Sequence, residues 1–233
     1  MINNVLLIGS GKRMKNNIIP ALYLLKNNFN IEGIYSRSIK NITLFENRII
    51  LQTTNNLDQF NFKKINLIII AVTQGNLPDV IRTLSEKDTL HIKLLVDTPI
   101  NIIDYTIIKK ISKFSEIGVS EDSISLPIVK VAKEIINSNI IGMVRKIYLF
   151  HSGYRYHAMS LIRYLISSKN VRLIRKTSLN DTYNEIKMTF RNGVTANIVN
   201  PRDYDIGRML IVGSSGSINT YFIKDKSSIY LDR

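Results

Sequence analysis

The chain has 233 residues, long enough to bury a sizeable core in one large or two small domains. A hydrophobic content of 45% and a mean hydropathy of +0.02 exclude a disordered chain, and no apolar run approaches the roughly 20 residues of a membrane-spanning helix. The absence of cysteine excludes disulfides, thiolate metal sites and thiol nucleophiles, and a net charge of +14 is spread along the chain without any basic run, so no nucleic-acid partner is expected.

The first predicted element is Val5-Leu6-Leu7-Ile8, an apolar run suited to a strand buried on both faces. The chain enters it without a basic leader, so a cytoplasmic protein is expected. Gly9-Ser10-Gly11 follows, and then Ile18, Ile19, Leu22 and Leu25 recur at helical spacing. A second strand, Ile31 to Tyr35, runs into Ser36-Arg37-Ser38. This order is what a dinucleotide site requires: glycines admit a pyrophosphate, a helix N-terminus offers it N–H groups, and the end of the second strand meets the adenosine ribose. The usual third glycine is Met14, and an ordinary tight turn would also satisfy G-x-G.

Asn41 to Lys64 is polar, with a short strand possible at Arg48 to Leu51. Asn66 to Val72 is a fully apolar strand ending at Thr73-Gln74-Gly75-Asn76, followed by a helix from Leu77 to Leu84 that tolerates Pro78 in its first turn. Ile92 to Val96 runs into Asp97-Thr98-Pro99, and a helix at Tyr105 to Phe114 and a strand at Ile117 to Val119 follow. This alternation predicts a parallel sheet wound on both faces, with ligands at the carboxyl ends of the strands.

From about Glu121 the pattern changes. Helices are predicted at Leu126 to Ile136 and Ala158 to Ile166, with a strand at Val144 to Phe150 between them. The rest reads as antiparallel strands at Tyr183 to Phe190, Val194 to Val199, Arg208 to Val212, Ile218 to Phe222 and Ser228 to Leu231. Asn192-Gly193 signals a type I′ hairpin. The expected fold is α/β: a doubly wound parallel sheet over 1–120, then an α+β domain over 121–233 with a largely antiparallel open sheet and helices on one face. Three histidines without close spacing make no metal site.

The motifs G-S-G-K-R-M, I-Y-S-R-S, N-L-I-I-I-A-V, L-L-V-D-T-P-I, I-I-G-M-V-R-K-I, H-S-G-Y-R-Y-H and I-V-G-S-S-G-S-I fall in one order. In that order the chain resembles the glucose–fructose oxidoreductase and inositol dehydrogenase (Gfo/Idh/MocA) family, whose members join a Rossmann nucleotide-binding domain to a substrate domain. The resemblance implies an NAD(P)-dependent oxidoreductase moving hydride to or from a small carbonyl or imine carbon. It makes Gly9, Ser10, Gly11, Lys12, Arg13 and Met14 the phosphate turn, Ser36, Arg37 and Ser38 the ribose end, and Val72, Thr73, Asn76, Asp97 and Pro99 the remaining cofactor contacts. Arg37 stands where an acidic residue would hold a ribose 2′-hydroxyl, and its guanidinium suits a 2′-phosphate, so NADP is expected over NAD. A solvated loop arginine is the plainer reading.

The family's E-K-P reads Asp97-Thr98-Pro99, so Thr98 replaces a catalytic lysine and can donate a hydrogen bond but cannot act as a cationic acid. Pro99 is expected to be cis. In the family's D-x-x-x-H-x-x-D motif His157 keeps the histidine, while Gly153 and Ser160 replace the acids. His157 and Tyr156 are the candidate proton-handling residues and Arg155 and Tyr154 the candidate substrate contacts. If the segment is extended, Tyr154 and Tyr156 point the same way; a structural histidine and core tyrosines are the alternatives. The chain is shorter than such proteins usually are. A substrate cleft that is open or completed by another subunit is therefore implied, as is a homodimer through the outer face of the second sheet. A dinucleotide-binding regulatory or partner subunit without catalysis is the other reading.

Overall fold

The structure, a computed structural model, describes residues 2–46, 48–100, 104–153, 155–168, 170–180, 182–203, 205–223 and 226–232. The chain divides into two compact units, Met1–Ser120 and Glu121–Arg233.

The first unit holds a seven-stranded sheet built from β1 (Asn3–Ile8), β2 (Phe29–Tyr35), β3 (Asn41–Leu44), β4 (Ile49–Thr54), β5 (Leu67–Ile70), β6 (Lys93–Asp97) and β7 (Glu116–Ser120), in the order β3-β4-β2-β1-β5-β6-β7. Every pairing is parallel except β3 with β4. From β1 the chain builds outward to β2 and β4, then crosses back to β5 on the other side. The strand order therefore reverses beside β1, where the loops after β1 and β5 part.

Alternation along the central strands explains why the sheet is covered twice. Leu6, Ile8, Ile68 and Ile70 pack in one core with Leu77, Ile81 and Leu84 of α2 (Leu77–Leu84) and Ile107 of α3 (Tyr105–Ile111). Val5, Leu7 and Ile69 face the other way, into a core with Ile19 and Leu22 of α1 (Ile19–Leu24). No helix among the described residues is long and apolar enough to cross a membrane.

Two features of this unit depart from the periodicity. β3 and β4 form a hairpin where only a short strand was expected, because Asn41 and Thr43 break the apolar run while Ile42 and Leu44 are buried. Before α1 the chain makes a π turn, Met14–Ile18, closed by the Ile19 N–H donating to the Met14 carbonyl. Met14 is fully buried with Val5, Leu7 and Ile19. A glycine there would let the helix close on the strand; a methionine needs more width, and a π turn has it.

The second unit is also seven-stranded: β8 (Lys146–Phe150), β9 (Val171–Ser178), β10 (Asn184–Phe190), β11 (Thr195–Asn200), β12 (Arg208–Val212), β13 (Ser217–Ile223) and β14 (Lys226–Asp232). The order is β14-β13-β12-β8-β11-β10-β9, and only β8 and β11 run parallel. Ile147, Leu149, Ala196, Ile198, Met209 and Ile211 point to one face and pack with α4 (Pro127–Asn137) and α5 (Arg155–Ile166).

Three expectations are corrected here. β9 follows α5 where no strand was expected: Arg172, Arg175 and Lys176 hide it, as solvated charges on an edge strand do. Asn192-Gly193 is not a type I′ turn. Only Gly193 has positive φ, +84°, and its N–H donates to the Phe190 carbonyl, so the turn is type I closed by a left-handed glycine. Finally, Tyr156 and His157 lie in the first turn of α5 and do not alternate along an extended segment.

Candidate functional site

The carboxyl edge of the first sheet carries a cleft of about 280 Å³ lined by the ends of β1, β2 and β5 and the turn into α2. Gly9, Ser10 and Gly11 form one end, Ser36, Arg37, Ser38 and Lys40 the other, with Val72, Thr73 and Asn76 along the wall. Gly9 has φ +111°, and a Cβ on it would lie 2.2 Å from the Ala71 carbonyl oxygen, so only glycine fits. A Cβ on Gly11 would meet no protein atom within 4 Å, although Gly11 lines the cleft. The fold therefore needs Gly9, whereas among the described residues no atom beyond the chain neighbours opposes a Cβ at Gly11.

The loop after β2 is held from beneath. Thr53, at 2% exposure, accepts a hydrogen bond from the Lys40 N–H (3.0 Å), can donate to the Ser38 carbonyl (3.0 Å), and has the Ser36 hydroxyl 3.1 Å from its own. The Ser36 hydroxyl also reaches that carbonyl at 2.5 Å, so buried Ser36 serves the loop's own geometry. Arg37 is exposed, with its guanidinium 3.5 Å from the Asn76 carboxamide oxygen, and Asn76 in turn donates to the Thr73 hydroxyl at 2.6 Å. Lys40 and Tyr35 line the cleft and were missed in the sequence. A signal for Lys40 existed, since it follows Arg37 closely in one loop.

Of the other cofactor candidates, Arg13 and Asp97 pair with each other at 3.2 Å. Met14 lies in the core, and Lys12 is exposed beside the turn. Thr98 and Pro99 follow β6, joined by a cis peptide bond. None of these six lines the cleft.

In the second unit α5 presents His157 from its first turn. The ring Nδ1 lies 2.6 Å from Glu121 Oε1, and the two side chains are 14% and 9% exposed. The same oxygen accepts from the Ser123 hydroxyl at 2.7 Å and the Ser123 N–H at 3.1 Å. The sequence did not flag Glu121. It lies 36 residues from His157, and no short motif spans that distance. The Tyr156 ring is tilted against the imidazole, centroids 4.3 Å apart, and its side chain is exposed. Glu121 and Ser160 also line an open hollow of about 540 Å³ with Ile124, Arg163, Tyr164 and Ser167. Tyr154 lies outside the described residues, as does the side chain of Arg155.

Glu121, Asp122 and His157 bring one potential metal-ligand atom each within 4.8 Å of the others. With two Ser123 donors and His157 Nδ1 already converging on Glu121 Oε1, the arrangement is that of a hydrogen-bonded carboxylate.

No family model matches the chain, and no curated protein matches it. Solved structures do. Aldose-aldose oxidoreductase from Caulobacter crescentus superposes with a TM-score of 0.77 at 11% identity, covering 100% of this chain and 81% of that one. The WlbA dehydrogenase of Chromobacterium violaceum, solved with NADH and UDP-GlcNAcA, gives 0.75 at 12% identity, covering 99% and 77%. A super-repressor mutant of Gal80p from Saccharomyces cerevisiae gives 0.76 at 18%, covering 99% and 78%. The chain thus has the fold of Gfo/Idh/MocA-type oxidoreductases: a Rossmann sheet followed by a largely antiparallel open sheet.

Proposed function

We propose that this chain is a divergent Gfo/Idh/MocA protein, an NADP-dependent oxidoreductase that moves hydride to or from a small carbonyl or imine carbon, and that it works in the cytoplasm as a homodimer. The observation that carries the reading is the cleft itself, with bare glycine backbone at one end and two cations, Arg37 and Lys40, at the other. Gly11 supports the fit, because a Cβ there would line the cleft and touch no protein atom.

In this reading Gly9, Ser10, Gly11 and Lys12 meet the pyrophosphate. Ser36, Arg37, Ser38 and Lys40 hold the 2′-phosphate, Arg37 forking onto its oxygens and Lys40 acting as a point charge. Val72, Thr73 and Asn76 form the wall, and Asp97 and Pro99 close the site while Asp97 holds Arg13. When bound, the dinucleotide supplies or accepts the hydride. Thr98 donates a hydrogen bond, and His157 gives or takes the proton on the substrate oxygen or nitrogen, with the Tyr156 hydroxyl beside it. Arg155 and Tyr154 are assigned to the substrate.

Calorimetric titration with NADP, NADPH and NAD tests this. Arg37→Ala and Lys40→Ala should each weaken NADP(H) by about tenfold, the loss of one charge-assisted phosphate contact, and leave NAD unchanged. Equal affinity for NAD and NADP in the parent chain would remove the 2′-phosphate assignment, and no binding of any dinucleotide would remove the oxidoreductase.

A second reading, a dinucleotide-binding regulatory subunit without catalysis, is favoured by Thr98, which cannot supply a cationic acid, and by the fold shared with a repressor. Tight NADP(H) binding with no hydride exchange across sugars, hydroxy acids and imines would select it.

A further inference from the structure

We propose that Glu121 is the positioning residue of His157: its carboxylate holds the Nδ1 proton of the imidazole, so that Nε2 is the nitrogen that takes and returns the substrate proton. The inference rests on the oxidoreductase reading for its purpose and on the second unit alone for its geometry.

Among the described residues Glu121 Oε1 has three polar neighbours, and the nature of two fixes the third. The Ser123 backbone N–H, at 3.1 Å, can only donate. The Ser123 hydroxyl has one proton and two candidate acceptors, Glu121 Oε1 at 2.7 Å and the His157 carbonyl at 3.5 Å; the shorter contact wins. The carboxylate oxygen is therefore the acceptor in this cluster, and His157 Nδ1, at 2.6 Å, is the donor. A neutral imidazole carries one proton, so holding it on Nδ1 makes Nε2 the basic nitrogen. Both side chains are largely buried, which keeps water from competing for the Nδ1 proton.

In the reaction the balance is simple. When a hydroxyl carbon loses hydride to the dinucleotide, the hydroxyl oxygen loses its proton to Nε2 and the C–O single bond becomes a double bond. In the reverse direction Nε2–H returns that proton to the oxygen. Glu121 touches neither substrate nor hydride; it decides which nitrogen does the work and steadies the ring when it is charged.

The test is long-range ¹H–¹⁵N correlation NMR of the whole protein labelled at its three histidines, with His151→Gln and His157→Gln supplying assignments. In the parent chain the neutral His157 ring should carry its proton on Nδ1. In Glu121→Ala it should move largely to Nε2, the tautomer that imidazole prefers in water. Glu121→Gln should keep the proton on Nδ1, because the Ser123 N–H turns the amide oxygen toward the same cluster; a merely structural role for Glu121 predicts no such rescue. Unmoved signals from His91 and His151 would show that the variants are folded. Once a substrate is found, Glu121→Ala should lower kcat about 10²-fold, the low end of a general acid–base contribution, with KM little changed. A parent ring protonated on Nε2 overturns the proposal without any variant having to fold, and so does a tautomer indifferent to Glu121→Ala. Neither result touches the dinucleotide titration on the first unit, so the two readings fail separately.

Discussion

The two glycines of the first turn do different work. Alanine at Gly9 would place a methyl 2.2 Å from the Ala71 oxygen in a backbone conformation with φ +111°. Gly9→Ala should cost roughly 2–4 kcal/mol, from strain plus displaced backbone, read by urea unfolding. Gly11→Ala should leave stability within about 0.5 kcal/mol yet weaken dinucleotide binding at least tenfold if the pyrophosphate approaches that backbone. Both glycines stand out in the sequence, but the division of labour does not, because it depends on Ala71, a residue of another strand's end. The same limit applies elsewhere at this scale. Arg37 and His157 were legible from their motifs. Lys40, close behind Arg37 in the same loop, was open to the same reading; Glu121 was not, since it acquires its place only when a distant segment folds beside His157.

At the scale of elements, the loop after β2 depends on Thr53 of β4. Thr53→Val keeps the shape but removes the acceptor of the Lys40 N–H and the hydroxyl that can donate to the Ser38 carbonyl. The variant should lose about 1–3 kcal/mol, the cost of buried polar groups left unpaired, and should lose NADP preference, because the loop bearing Arg37 and Lys40 is no longer fixed. A variant as stable as the parent, with unchanged preference, would refute the role of Thr53. Helix α3 carries a pH-dependent cap. Asp104 accepts from the Thr106 hydroxyl at 2.7 Å and the Thr106 N–H at 2.8 Å, and these bonds hold its carboxyl below the usual 3.8. Its contribution is therefore complete above the ordinary value and disappears as pH falls through the lowered one. Asp104→Ala should flatten the stability–pH curve below about pH 4 and leave its slope near neutrality unchanged, measured by urea midpoints. The helices and central strands were legible because one apolar period rules each of them. β3 and β9 were not. One alternates over only four residues, and the other lies at a sheet edge with charge on both faces.

At the scale of the molecule, the second sheet has a face that α4 and α5 do not use. Tyr148, Phe150, Val199, Leu210 and Tyr221 alternate with the core residues, and among the described residues no helix of that unit packs on them. The face has the chemistry of an interface: Tyr148 and Phe150 stack at 5.9 Å, and Arg208 lies 4.9 Å from the Phe150 ring centre. Seven strands about 4.8 Å apart and some five residues long give roughly 500 Å² in projection, and side-chain relief brings this toward the ~800 Å² per partner of a stable complex. A second copy of the chain meeting this face about a two-fold axis would set the same patch against itself, so that every contact of Leu210 or Tyr148 is made twice. Sedimentation equilibrium should then give about twice 26.7 kDa for the parent chain. Leu210→Arg, which puts a charge at the centre of the face and leaves the opposite core untouched, should shift the mass to the monomer without lowering the urea midpoint measured at low protein concentration. A parent chain that sediments at 26.7 kDa at concentrations near 100 µM would mean that this face serves no second copy, and the homodimer in the proposed function would go with it.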